Sequence, residues 1–193
     1  MATFFDTAKG NFKNVPVVDN RISTTEFLEA AEGVVQLFDA LGNKAFVPVQ
    51  NDMTGNIKKI RDRQLAKPAQ SGTLQALVEA ELAEKAKTAS EGLLWLNRGL
   101  EFTSRALRKN VDSTEELTHS FSTSYESTLK KHHNFVVKGI FSLAMKACPY
   151  RDDFYKKLGD DQAKVLEQLR EWLEALEKIV LLLNAFLAEK NIK

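Results

Sequence analysis

A chain of 193 residues, 44% hydrophobic and 27% charged, can bury roughly 70% of the surface its unfolded form exposes and reads as one globular domain over 1–193. A formal net charge of +1 argues against nucleic-acid binding as the main task, and against a purely electrostatic grip on anionic membranes. The one cysteine, Cys148, excludes an intrachain disulfide framework or a cysteine metal site. With no apolar leader and no run of transmembrane length, the expected location is the cytosol.

Residues 1–22 carry Phe4, Phe5 and Phe12 without a clean period, which predicts an ordered arm tucked against the body. Phe4-Phe5-Asp6-Thr7-Ala8 faintly resembles the short peptides with which lipid carriers dock on endoplasmic-reticulum receptors, but it lacks their acidic lead-in, and core packing is its other use. Ser23-Thr24-Thr25-Glu26 has the form of a capping box. The helix behind it shows Phe27, Ala31, Val34, Phe38 and Leu41 on one face and stops at Gly42-Asn43. Pro48 opens the next helix, where Asp52, Asn56 and Lys59 recur at i, i+4 and i+7 beside an apolar stripe of Val49, Met53, Ile57 and Ile60. Gly55 inside that helix costs about 1 kcal/mol relative to Ala and suggests a close approach to the backbone.

After Lys67-Pro68, Leu74, Leu77, Val78 and Leu82 predict a further helix. Another, over 88–109, carries Leu93, Leu96, Leu100 and Leu107, with Trp95 flanking the stripe. Ser113-Thr114-Glu115-Glu116 reads as a second capping box, leading into Leu117, Phe121 and Leu129. A helical pattern resumes through His133, Val136, Val137, Ile140, Phe141 and Leu143 and ends before Pro149; 152–158 adds a short turn of helix. From Val165 to Leu187 the apolar period runs unbroken. No convincing strand alternates anywhere, so the prediction is an all-α domain of about eight helices.

No enzyme constellation is present: there is no G-x-S-x-G elbow, no Gly-rich phosphate loop and no H-E-x-x-H helix. His132 and His133, if helical, diverge by about 100° and do not share a metal. His119 sits in a Ser/Thr-rich, solvated stretch, and Cys148 reads as a small core hydrophobe. Asp52, Asn56 and Lys59 together offer a carboxylate, an amide and an ammonium to a ligand rich in hydroxyls; the plain alternative is a solvated helix flank.

Read with Leu93-Leu94-Trp95-Leu96-Asn97-Arg98-Gly99-Leu100, with Leu129-Lys130-Lys131-His132-His133-Asn134-Phe135-Val136-Val137 and with Ala147-Cys148-Pro149-Tyr150-Arg151, the Asp52 run resembles the glycolipid transfer protein family from about Ser23 to Leu158. The fungal heterokaryon-incompatibility branch is the most similar. The resemblance implies a two-layer helical sandwich and a non-enzymatic carrier, without cofactor or metal, that moves one glycosphingolipid between membranes. It implies that Trp95 is a platform for the first sugar, that Asp52, Asn56 and Lys59 bind its hydroxyls, and that Asp52 and His133 hold the two sides of the ceramide amide. The apolar tunnel is then assigned to Phe38, Leu94, Val137, Ile140, Phe141, Leu143 and Phe186, whose alternative use is plain core.

Phe135, Lys138, Lys146, Tyr150 and Tyr155 form the expected membrane-docking patch. The implied carrier is a monomer, cytoplasmic and transiently peripheral on membranes, with no nucleic-acid partner. Two departures from the family stand out. Phe135 replaces a docking Trp, and 189–193 lack the aromatic that relatives place near the glycolipid. The rivals are a carrier of ceramide phosphate, a helical protein-interaction module built on the last helix, and an enzyme using His133 and Asp52.

Overall fold

The computed structural model describes residues 1–193. Its α-helices are α1 (Phe4–Thr7), α2 (Thr24–Ala40), α3 (Val47–Ala66), α4 (Leu74–Ala83), α5 (Thr88–Val111), α6 (Leu117–Ser127), α7 (Phe135–Lys146), α8 (Arg151–Leu158) and α9 (Gln162–Glu189). The all-α prediction holds, with nine helices where about eight were expected; the extra one is the single turn α1. Strands β1 (Val17–Val18) and β2 (Arg21–Ile22) form a hairpin too short to show as alternation in the sequence. Its turn residues Asp19 and Asn20 both take positive φ, the left-handed conformation that such two-residue turns require.

Helix α5 organises the molecule: α3, α4, α6 and α9 all pack against it, while α2 lies against α3 and α8. One contiguous core of 48 buried residues runs through every helix from α1 to α9. The arm behaves as predicted. Phe5 and Phe12 are buried, with ring centroids 6.0 and 5.6 Å from that of Trp172. Asp6 accepts from Lys164 Nζ at 2.6 Å and Gln168 Nε2 at 2.7 Å, and these bonds hold its carboxyl well below the usual carboxylate range. The Phe4–Ala8 segment is thus used for packing on α9, and an extended receptor-docking peptide would have to leave it.

Neither capping box forms as expected. Ser23 donates its hydroxyl directly to the Glu26 carboxylate instead of capping an amide. Ser113 precedes the true start of α6, whose N-cap is Glu116. The start of α5 is capped from outside by the buried Glu81, whose carboxylate accepts from Ala89 N at 2.9 Å, Ser90 N at 2.7 Å and Ser90 Oγ at 2.6 Å. A carboxylate at a helix N-terminus meets both the unpaired amides and the positive end of the dipole. It therefore fixes the helix that carries Trp95. Farther along, Arg108 grips Glu177 of α9 with Nε and Nη2 at 2.8 and 3.0 Å.

The close-approach glycine is also not the expected one. Gly55 has nothing near its missing Cβ, whereas a Cβ on Gly92 would lie 3.1 Å from Lys59 Cβ and 3.3 Å from Asn56 O. Gly99 faces Met53, where a Cβ would make only an ordinary contact at 3.8 Å. Since 92 meets 56–59 and 99 meets 53, α5 runs antiparallel to α3, and its glycines let the two backbones close in where the Asp52 stripe lies.

Candidate functional site

The α3 stripe is a chain of hydrogen bonds. Lys59 Nζ donates to Asn56 Oδ1 at 3.3 Å, and Asn56 Nδ2 donates to Asp52 Oδ2 at 3.4 Å. Asn56 is buried, so its amide is held in place between two charged groups that keep an open face to solvent. Burial raises the pKa of the Asp52 carboxyl, with Lys59 pulling the other way. One turn beyond Gly92 on the facing helix stands Trp95, half-buried and free of the Leu93/Leu96/Leu100 core stripe.

Both histidines reach Trp95, contrary to the divergence expected of a helix. His132 ends a 3-10 turn, Lys130–His132, and His133 is extended, so the helical path breaks between them. The His133 ring lies nearly parallel to the Trp95 indole, 6.0 Å away and tilted by 12°, while His132 meets it edge-on at 6.2 Å. Helix α7 starts only at Phe135, after Asn134 caps it by accepting from Val137 N at 3.0 Å. Burial lowers the pKa of His133, helped by the charges of His132, Lys138 and Arg98. The ring is therefore neutral at pH 7.

Two further neighbours, not singled out from the sequence, complete the surroundings of Trp95 and His133. The Arg98 guanidinium lies over the Trp95 ring, 4.7 Å from its centroid, a cation–π contact without a carboxylate partner, and burial lowers its pKa. Arg98 stands three residues after Trp95, so the i, i+3 spacing was the signal available. Tyr125 of α6 is buried, its hydroxyl 3.1 Å from His133 Nδ1, and its ring is stacked on Phe141 at 5.1 Å. Only an 8-residue reversal of the chain brings these two residues together.

Of the residues expected to line a tunnel, Phe38, Leu94 and Phe141 are buried, and Val137 and Phe186 are half-buried against the core. Ile140 and Leu143 are a correction. They stand on the outer face of α7, with Leu143 67% exposed, because α7 turns only Phe141, Ala144 and Met145 inward. No open tunnel is present; a cavity of about 10 Å³ between Leu37, Phe38, Leu41, Thr103, Leu107, Phe121 and Phe154 is an apolar gap where α2, α5, α6 and α8 meet. In the docking patch, Phe135 is 90% exposed, Tyr150 and Lys146 are exposed and Lys138 is half-buried. Tyr155 does not belong there. It is 2% exposed and donates its hydroxyl to Asn110 Oδ1 at 2.9 Å, inside a buried network with Ser120. Lys130, Phe135, Lys138 and Lys146 instead line a groove of about 670 Å³ between α6 and α7.

Comparison with known proteins identifies the family and the fold. Residues 22–160 match the family described as Glycolipid transfer protein (GLTP). A glycolipid transfer protein of Aureobasidium melanogenum is 60% identical over 192 residues, covering 99% of this chain and 96% of that one. Among solved structures, HET-C2, a fungal glycolipid transfer protein, superposes with a TM-score of 0.94 at 59% identity, over 96% of this chain and 97% of that one. FAPP2, whose structure is described as selecting simple glycosphingolipids with the same fold, superposes with a TM-score of 0.91 at 32% identity, over 99% of this chain and 97% of that one. Matched by the family over residues 22–160 and 60% identical to a relative along nearly its whole length, this chain belongs to the glycolipid transfer protein family.

Proposed function

We propose that residues 1–193 act as one carrier unit that takes a single glycosphingolipid from a bilayer, shields its chains and releases it to another membrane, without catalysis or cofactor. The observation that carries this reading is the hydrogen-bonded Asp52–Asn56–Lys59 stripe set across the Gly92 seam from a half-buried, flat indole. Apolar C–H faces of a sugar ring suit the Trp95 plane, and the stripe offers acceptors and donors to the hydroxyls at the ring's edge. Asp52 accepts from the ceramide amide N–H, and neutral His133 donates to its carbonyl.

Each lipid methylene exposed to water costs about 0.8 kcal/mol, so a two-chain lipid needs a dry path. The gap lined by Phe38 and Phe121 is where the layers part to admit the chains. Between Glu126 and Asp152 the chain has no acidic residue but carries Lys130, Lys131, Lys138, Lys146 and Arg151. This basic stretch holds the exposed Phe135, Val136 and Leu143, which supports α7 as the face that touches the membrane. No helix is long and apolar enough to cross one. The carrier works as a monomer in the cytosol, docking transiently.

The ceramide-phosphate reading gains one cation from the structure, since Arg98 joins Lys59 near the headgroup. The carboxylate of Asp52 still opposes a phosphomonoester of about −1.5 to −2 charges. Vesicle transfer of labelled galactosylceramide and ceramide phosphate separates the two. Wild type moves the first and fails with the second, and Asn56→Lys combined with Trp95→Arg removes the first activity. Equal wild-type rates for both lipids would sink the sugar assignment.

A further inference from the structure

Tyr125 lies outside every role assigned so far. Its ring is fixed on three sides, stacked on Phe141 at 5.1 Å, edge-on to Phe102 at 6.3 Å and tilted against His133 at 5.7 Å. Such packing would serve a phenylalanine equally well. The hydroxyl is what needs a reason, and its one partner within the chain is His133 Nδ1 at 3.1 Å. Burial raises the Tyr125 pKa, so the phenol stays protonated at neutral pH.

A phenol and a neutral imidazole can share a proton-bearing contact in two ways. The phenol O–H is the more acidic donor, and an unprotonated ring nitrogen is a stronger acceptor than a phenol oxygen. The matched arrangement is therefore O–H donating to Nδ1, which leaves the imidazole proton on Nε2. Nε2 has no partner elsewhere in the chain. We propose that Tyr125 is a positioning residue that, through its bond to His133 Nδ1, holds His133 in the Nε2–H tautomer and aims that N–H as a donor at the ligand. The aim at a ligand rests on the carrier reading above; the tautomer does not.

The backbone around His133 also holds its ring in place. His133 is extended between the 3-10 turn and the Asn134 cap of α7, and its ring packs 4.6 Å from Phe141. The ring is thus wedged among Trp95, Tyr125 and Phe141, with little freedom to flip and exchange its nitrogens.

The test uses the full chain and Tyr125→Phe, which keeps the ring stack and removes only the oxygen. Ring-nitrogen chemical shifts of ligand-free protein at pH 8, with the His133 signals identified by their loss in His133→Ala, report the tautomer. Wild type is expected to show Nε2–H alone, and Tyr125→Phe a mixture. Equilibrium binding of galactosylceramide should weaken about three- to tenfold in Tyr125→Phe, the worth of one aimed hydrogen bond. On a His133→Ala background the same substitution should change nothing. An Nδ1–H tautomer in wild type, unchanged shifts in Tyr125→Phe, or equal weakening on both backgrounds would overturn the proposal. If Tyr125→Phe releases the tautomer while His133→Ala binds normally, the hold of Tyr125 on His133 stands and the ceramide-amide reading falls.

Discussion

Helices α9 and α7 are both rich in apolar residues, yet they use them in opposite ways. Over 28 residues α9 buries nine side chains, from Val165 to Leu187, and its polar residues take the other face. Across twelve residues α7 buries only Phe141, Ala144 and Met145, leaving Phe135, Val136, Ile140 and Leu143 open. Gly139 between them has nothing near its missing Cβ. Apolar periodicity establishes that a segment is helical, and it does not say whether the partner of its apolar face is the protein or something else. In α7 the inward stripe is narrow and the outward one is wider, which suits a helix that meets a second apolar phase.

The sharpest test of that contrast is a pair of leucines. Leu173→Ala in α9 removes a fully buried side chain and should cost about 2–5 kcal/mol in urea unfolding. Leu143→Ala in α7 should stay within about 0.5 kcal/mol of wild type while slowing transfer between vesicles. Comparable stability losses at the two sites would mean that α7 is an ordinary core helix.

Trp95 stands at the boundary between these two kinds of surface, half-buried on α5 beside a fully buried leucine stripe. Trp95→Ala should abolish vesicle transfer while far-UV circular dichroism keeps the helical signal. Retained transfer would remove the platform role, and an unfolded variant would assign the indole to the core.

Much of this was legible in the sequence because it follows from local spacing. The i, i+4, i+7 stripe of Asp52, Asn56 and Lys59 and the long period of α9 survive folding unchanged. What was not legible depends on where chain reversals bring distant residues. Tyr155 and Tyr150 look alike as interfacial aromatics, but α8 turns the first towards Asn110 and leaves the second outside. His132 and His133 meet at Trp95 only because the helical path breaks between them. The net charge of +1 likewise conceals an acid-free stretch around α7, since the compensating acids lie elsewhere.

Phe135 gives a smaller effect than Trp95. It is almost wholly exposed, so Phe135→Ala should leave stability and the binding of soluble short-chain lipid unchanged. Transfer between vesicles should slow several-fold, because an aromatic ring is lost from the face proposed to dock. If binding and transfer fall together, Phe135 belongs to the ligand site and the outward face of α7 loses its strongest member.

The smallest effect concerns pH, and it separates the α7 junction from the α9 core. The folded-state pKa of His133 is lowered, chiefly by burial. Below about pH 6.5 the unfolded chain therefore takes up a proton that the folded chain resists. The stability that His133 contributes is present above that pH and is lost as the pH falls towards the folded pKa. The raised pKa of Asp52 works in the opposite sense, adding stability as acidification approaches the carboxylate range. Urea unfolding from pH 7.5 to 5.5 should thus show a modest decline that His133→Gln reduces, while Leu173→Ala shifts the whole curve without changing its slope. Ligand binding should hold to a lower pH than this decline in stability, because the lowered pKa keeps the folded His133 neutral after the unfolded chain has begun to take up its proton. Binding that falls in step with stability from about pH 6.5 would mean that the folded chain does not hold His133 neutral.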